Sequence, residues 1–146
     1  MQTFISFVHE DAGVAGPLAA YLRNNGYKVF HTADDWMLHA GEVWLCRIKK
    51  ELSEAEIVLV LFSRRSVTRA WVHFEAGAAW LAGKLMIPIC IGSLRVEDLP
   101  IQYRHPSRHA DGLRERLLPS ALYASLRALR RHNGAAPEPR HLQTAS

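Results

Sequence analysis

Cysteine, long apolar runs and nucleotide-binding signatures are all scarce in this sequence of 146 residues. Its two cysteines, Cys46 and Cys90, are too few for the disulfide framework of a small secreted domain, so we expect both thiols to be reduced and buried. The longest apolar run, Ile57–Phe62, is far shorter than the roughly 20 residues that span a bilayer, which predicts no transmembrane helix. The first eleven residues lack the basic and apolar segments of a secretory signal peptide, so the expected compartment is the cytoplasm.

Three motifs of nucleotide-binding proteins and hydrolases are missing. The chain has no G-x-G-x-x-G dinucleotide fingerprint, no Walker phosphate loop and no G-x-S-x-G nucleophile elbow. His105 and His109 have the spacing of a metal-binding helix, but Pro106 disfavours a regular helix through them. We therefore predict no metal site.

The net charge of +4 is unevenly distributed along the chain. Residues 1–103 carry ten Lys and Arg against eleven Asp and Glu, whereas residues 104–146 carry eight Arg against three acids. Basic segments after a domain are more often solvated faces or linkers than readers of phosphate, so nucleic-acid binding by this domain is not expected. Residues 133–146 are polar and interrupted by prolines, which predicts a disordered tail or a linker.

Apolar runs and amphipathic segments alternate through the first two thirds of the chain. Apolar runs predict strands over residues 3–8, 27–32, 57–62 and 85–91, and helical spacing predicts helices over residues 17–24, 42–52 and 71–83. The third strand is apolar at every position, as in the centre of a parallel sheet. This order predicts an α/β fold with helices on both faces of a parallel sheet and ligands at the carboxyl ends of the strands.

The loops at those carboxyl ends contain the first candidate binding residues. Ser63 and Arg64 follow the third predicted strand, where hydroxyl, backbone and guanidinium donors could hold a phosphate. The alternative is a solvated loop that caps the next helix. Trp36 lies in a polar loop after the second strand and is a candidate stacking surface.

Glu75 is the candidate catalytic residue. It lies early in an alanine-rich predicted helix that begins at the same edge of the sheet, where an acid could simply favour the helix dipole. That interpretation does not explain its apolar and small neighbours, among them Trp71, Phe74 and Ala76. A carboxylate in apolar surroundings is weakly screened and can stabilise a developing cation.

Three segments resemble the boxes of the Toll/interleukin-1 receptor (TIR) domain, and its bacterial NAD-cleaving members in particular. FISF at residues 4–7 resembles the first box, and ADDWMLHAGE at residues 33–42 resembles the loop after the second strand. Ser63, Trp71 and Glu75 reproduce the S-x7-W-x3-E spacing. A TIR domain is therefore expected over residues 1–132, with the boxes in residues 3–92 and a weaker match in residues 93–132.

Several positions depart from the family pattern. Ala40 replaces a frequent proline, Arg69 a serine common two residues before the tryptophan, and Val72 a cysteine that often follows it. Val8 and His9 stand where some enzymatic relatives have basic residues after the first box.

The resemblance implies a flavodoxin-like three-layer fold with a parallel sheet of about five strands, and an NAD+ glycohydrolase or cyclase. NAD+ is then the substrate, no separate cofactor is needed, and Glu75 is catalytic. The implied substrate-binding residues are Phe7, Val8, His9, Asp34, Trp36, Ser63, Arg64 and Trp71.

The resemblance also implies self-association, into filaments, through the loop after the second strand. The implied assembly residues are Asp35, Leu38 and Gly41. A sensor module, C-terminal or on a separate chain, is a further implied partner, and bacterial antiviral defence or cell suicide is the implied role. Two alternatives stay open: a non-enzymatic adaptor that assembles TIR domains, and a related α/β enzyme that acts on nucleosides.

Overall fold

All four predicted strands form, and they pair in one parallel sheet. They are β1 (Gln2–Phe7), β2 (Lys28–Ala33), β3 (Ile57–Phe62) and β4 (Leu85–Cys90). The computed structural model describes residues 1–33, 41–104 and 117, and within them the strand order is β2-β1-β3-β4. The expected sheet of about five strands thus has four in this part of the chain, every neighbouring pair being parallel.

Helices connect the strands. They are α1 (Ala12–Asn24), α2 (Gly41–Glu54), α3 (Ala70–Leu81) and the short α4 (Ile101–Arg104). The predicted start of the first helix at Pro17 is wrong, because Pro17 lies inside α1. At this interior position the proline cannot donate the backbone hydrogen bond that the Gly13 carbonyl would otherwise accept, and α1 nevertheless continues through it to Asn24. After α1 ends, Gly26 turns the chain toward β2 with a φ of 83°.

The sheet separates two apolar cores, which confirms the α/β class with helices on both faces. On one face α1 packs against alternate residues of the strands, among them Ile5, Leu59 and Ile89. On the other face α2 and α3 pack against Phe4, Val58 and Phe62. Every residue of β3 is buried, as its uninterrupted apolar sequence predicted.

The apolar face of α2 is narrower than predicted. Ile48 and Leu52, one turn apart, are buried, but Val43 is 83% exposed and Leu45 is 45% exposed. Cys46 is also exposed, so the prediction of two buried thiols is wrong for Cys46 and confirmed for Cys90. The helical spacing that predicted this helix includes five apolar positions, which extend around more of the helix than the sheet covers; they are Val43, Leu45, Cys46, Ile48 and Leu52.

The predicted domain boundaries fall largely outside the described residues. Of the segment 93–132, the structure describes residues 93–104 and Leu117, which is buried in the core on the α1 side. The predicted tail at residues 133–146 and the His105–His109 spacing both lie outside the described part. None of the described helices is long and apolar enough to cross a membrane.

Candidate functional site

The carboxyl ends of β1, β3 and β4 lie side by side at one edge of the sheet, because these strands are parallel neighbours. Five of the six buried polar or charged residues in the described part of the chain lie at or near this edge, the exception being Thr3; they are Ser6, Asp11, Ser63, Ser66 and Glu75. Burying polar groups is costly, so such a concentration indicates either a structural or a chemical task. This edge is the candidate site.

Glu75 lies in the second turn of α3, on the face that packs toward the sheet. Its exposed fraction is 0%, and its buried neighbours on that face are Val72, Ala76 and Ala79. The spacing of these four residues is the inward stripe of a helix. Phe74, which the sequence grouped with Trp71 and Ala76 as a neighbour of Glu75, is instead exposed. The Glu75 side chain is therefore buried on the inner face of α3.

The loop after β3 is closed by two buried serines. Ser66 Oγ accepts a hydrogen bond from the Ser63 amide at 2.6 Å and donates one to the Leu61 carbonyl at 3.1 Å. In return, Ser63 Oγ accepts from the amides of Ser66 at 3.1 Å and Arg65 at 3.3 Å. These amides serve the loop itself. The loop is neither the solvated loop nor the helix cap that stood as the alternative to phosphate binding, because both serines are buried and α3 has no side-chain cap.

Ser66→Ala is expected to lower the free energy of unfolding by about 1–3 kcal/mol, because the buried Ser63 amide would lose its acceptor. The matched control is Ser53→Ala, whose exposed hydroxyl donates to the Lys50 carbonyl and should matter by only a few tenths of a kcal/mol. Urea unfolding of both variants measures the difference. Equal, small effects would show that the loop does not depend on Ser66.

Two arginines tie the three neighbouring loops together. Arg64 Nε donates to Ser93 Oγ, after β4, at 3.1 Å, and Arg69 Nη2 forms an ion pair with Glu10 Oε1, after β1, at 2.9 Å. A hydrogen bond from its own backbone lowers the pKa of Glu10, and the charges of Arg69 and Arg65 lower that pKa further. Glu10 therefore stays ionised above its ordinary pKa of 4.5, and the ion pair is lost only as the pH falls through the lowered pKa.

The remaining predicted binding residues in the described part of the chain differ in how far they are buried. Phe7 and Val8 are buried in the two cores on opposite faces of the sheet, whereas His9 is exposed at the edge. Trp71 is partly buried and stacks on Phe74, with 5.2 Å between ring centroids. Its buried Nε1 has no hydrogen-bond acceptor among the described residues.

The loop after β2 is largely outside the description. Asp34, Asp35, Trp36 and Leu38 fall in residues 34–40, which the structure does not describe, so their stacking and assembly roles stay predictions. Gly41 begins α2. Within residues 1–33 and 41–104, no three His, Cys, Asp or Glu side chains group closely enough to hold a metal ion.

A separate cleft of about 350 Å³, lined by His73, Gly77, Trp80, Met86 and Tyr103 among others, lies along α3. His73 Nε2 lies 2.7 Å from the Val67 carbonyl and must donate to it, so Nδ1 accepts from the Tyr103 hydroxyl at 3.1 Å. Burial raises the pKa of Tyr103, which keeps that hydroxyl protonated. Since both ring nitrogens of His73 are engaged, this histidine joins α3 to α4 rather than offering a free base.

Sequence reasoning missed the contact between Arg69 and Glu10 and the one between His73 and Tyr103. The two partners are separated by 59 residues in the first pair and by 30 in the second. The available signal for the first pair was the position of Glu10 and Arg69 after strands that a parallel sheet brings together. The second pair has no signal in the local pattern.

Comparison with known proteins identifies the architecture. The family model described as "TIR domain" matches residues 3–118. No curated protein gives a significant match. The metazoan TIR-STING receptor from C. gigas superposes with a TM-score of 0.59 and 20% sequence identity, over 79% of this chain and 39% of that one. The chain thus covers about two fifths of that receptor's length, and the likeness shows the fold.

Proposed function

This chain belongs to the TIR domain family, and from that premise we propose that it is an NAD+ glycohydrolase. The reaction would consume NAD+ and water and release nicotinamide, ADP-ribose and a proton. Attack by a group of the same molecule in place of water would give nicotinamide, a cyclic ADP-ribose and a proton. The observation that carries the proposal is the buried carboxylate of Glu75 on the inner face of α3. It lies near the edge where a parallel sheet binds its ligands.

A single carboxylate is enough for this chemistry. Ordinary glycosidases use two, because one must protonate the leaving oxygen. Nicotinamide in NAD+ is already cationic, so it leaves as a neutral molecule and needs no proton. Glu75 would hold the ribose hydroxyls and stabilise the positive charge that develops on the ribose as the bond to nicotinamide breaks.

Access to Glu75 connects this chemistry to self-assembly. With an exposed fraction of 0%, the carboxylate of a single chain cannot contact a substrate from solvent. Assembly through the loop at residues 33–41 would rearrange the edge and open the site. Head-to-tail contacts of this kind do not close on themselves and extend into filaments. We propose the cytoplasm as the compartment, and bacterial antiviral defence or cell suicide as the role that the family resemblance implies.

Nicotinamide release per chain is therefore expected to rise with protein concentration. Well below the concentration of half-assembly, mass action predicts about a tenfold gain in specific activity for each tenfold gain in concentration. Chromatography of NAD+ incubated with a dilution series of the protein measures the nicotinamide released and also separates ADP-ribose from a cyclic ADP-ribose. Specific activity that stays constant from dilute to concentrated protein, with no lag, would contradict activation by assembly.

The second candidate function is a non-enzymatic adaptor that assembles with other TIR domains. Exposed apolar side chains favour it, since Val43 on α2 and Phe74 and Leu81 on α3 all face solvent in the single chain. An adaptor would release no nicotinamide at any concentration, assembled or not. The dilution series that tests activation therefore also distinguishes the two functions.

A further inference from the structure

A basic patch lies at the carboxyl edge of the sheet, next to the helix that carries Glu75. Residues 63–69 include Arg64, Arg65 and Arg69 and no acid. All three arginines are exposed. Since β1 and β3 are adjacent, this patch faces the turn His9–Asp11. The three guanidinium groups are the binding groups that proteins use most for phosphates.

Glu10 is the exposed carboxylate that meets this patch. Its Oε1 lies 2.9 Å from Arg69 Nη2, and Arg65 is near enough for its charge to help lower the pKa of Glu10. The ion pair is partly in water, with the side chains of Arg69 and Glu10 50% and 30% exposed. Such a pair adds little stability and can exchange partners readily.

A carboxylate on a guanidinium occupies the position that a phosphate would take. Both present oxygen pairs to the same fork of N–H donors, but a diphosphate carries more charge and more acceptors. We propose that Arg69 and Arg65 bind the diphosphate of the substrate, and that Glu10 is the internal counter-ion that this diphosphate displaces. The identity of the substrate rests on the proposed function; the exchange itself rests on the ion pair and the patch.

This arrangement would select against substrates without phosphate. A nucleoside cannot displace Glu10 from Arg69, so it would meet a neutralised patch and gain nothing from the arginines. A molecule with a diphosphate would form charge-assisted hydrogen bonds to the arginines. The cost of separating Glu10 from Arg69 would offset part of that binding free energy. Glu10 therefore weakens the binding of every anion by a small factor, and an anion with more charge and more acceptors offsets that factor more easily.

Calorimetric titration of the full chain with ADP and with adenosine tests the exchange, and the exposed patch allows it without assembly or turnover. Glu10→Gln should tighten ADP binding about 2- to 5-fold, the range of a surface ion pair, and leave adenosine unchanged. Arg69→Gln should weaken ADP binding at least about tenfold and leave adenosine unchanged. Glu97→Gln, which removes an exposed carboxylate from another turn, should change neither.

The inference is overturned if wild-type protein binds ADP no better than adenosine, or if Glu10→Gln fails to tighten ADP binding. It is also overturned if either variant alters ADP and adenosine binding equally. Urea unfolding of the Arg69→Gln variant separates lost binding from lost folding. If the expected ADP shifts occur in a protein that releases no nicotinamide, the proposed enzymatic function fails and the anion exchange stands. If nicotinamide is released but the ADP shifts do not occur, the anion exchange fails and the proposed enzymatic function stands.

Discussion

Glu75→Gln is expected to reduce nicotinamide release by at least about 100-fold while the domain stays folded, because groups that stabilise developing charge in an enclosed site commonly contribute that much. The amide keeps the size of the side chain and removes its charge. Urea unfolding of the variant separates lost chemistry from lost folding. Loss of activity in a variant that is still folded is the signature of a residue that acts in the chemistry.

The matched control for this substitution is Glu97→Gln, which makes the same chemical change at an exposed position in the turn Val96–Asp98, outside α3. This variant should retain the nicotinamide release of the wild type. Chromatography at a fixed, high protein concentration and urea unfolding measure the two properties on both variants. If Glu75→Gln kept wild-type turnover, Glu75 would be a structural residue.

Leu59→Ala is expected to lower the free energy of unfolding by about 2–5 kcal/mol, a large fraction of the 5–15 kcal/mol of a typical domain. Leu59 lies in β3 with an exposed fraction of 0% and belongs to the core on the α1 side. Its truncation removes buried apolar contacts and leaves a cavity, because neighbouring strands prevent the site from collapsing.

Leu81→Ala is the control for that substitution, because the same change is made where the side chain is 80% exposed. Its effect should stay within about 0.5 kcal/mol. The difference in stability is measured from the urea unfolding midpoints of the two variants, provided that the free energy of unfolding falls with urea at the same slope in both. A similar loss from both would contradict the position of β3 at the centre of the sheet.

The sequence best predicted the helices and strands whose residue pattern allowed only one interpretation. β3 was predicted at its observed bounds because an apolar run of six residues, too short for a buried helix, fits a strand covered on both faces. The start of α1 was missed because Pro17 was interpreted as a boundary, whereas the tertiary structure accepts it inside the helix. Exposure on α2 was missed because the apolar pattern does not state how wide a stripe the sheet will cover.

The sequence predicted some residues of the candidate site and missed others, depending on whether a local pattern fixed their position. Glu75 could be assigned to the ligand edge because strand order fixes which end of α3 lies there, although its complete burial depends on side-chain packing. The ion pair between Glu10 and Arg69 could not be predicted, because exposed charges follow no period and the partners lie far apart in the chain. Ser63 illustrates the middle case: its position was predicted, but two interpretations of its hydroxyl stayed open until its hydrogen bonds were known.

The proposed activity is tested most directly by incubating concentrated wild-type protein with NAD+ and counting the nicotinamide released per chain. The glycohydrolase proposal predicts many nicotinamide molecules per chain, accompanied by an equal amount of ADP-ribose or cyclic ADP-ribose, and almost none from Glu75→Gln. Intact NAD+ at every protein concentration, with the wild type fully folded, would contradict the enzyme and leave the adaptor.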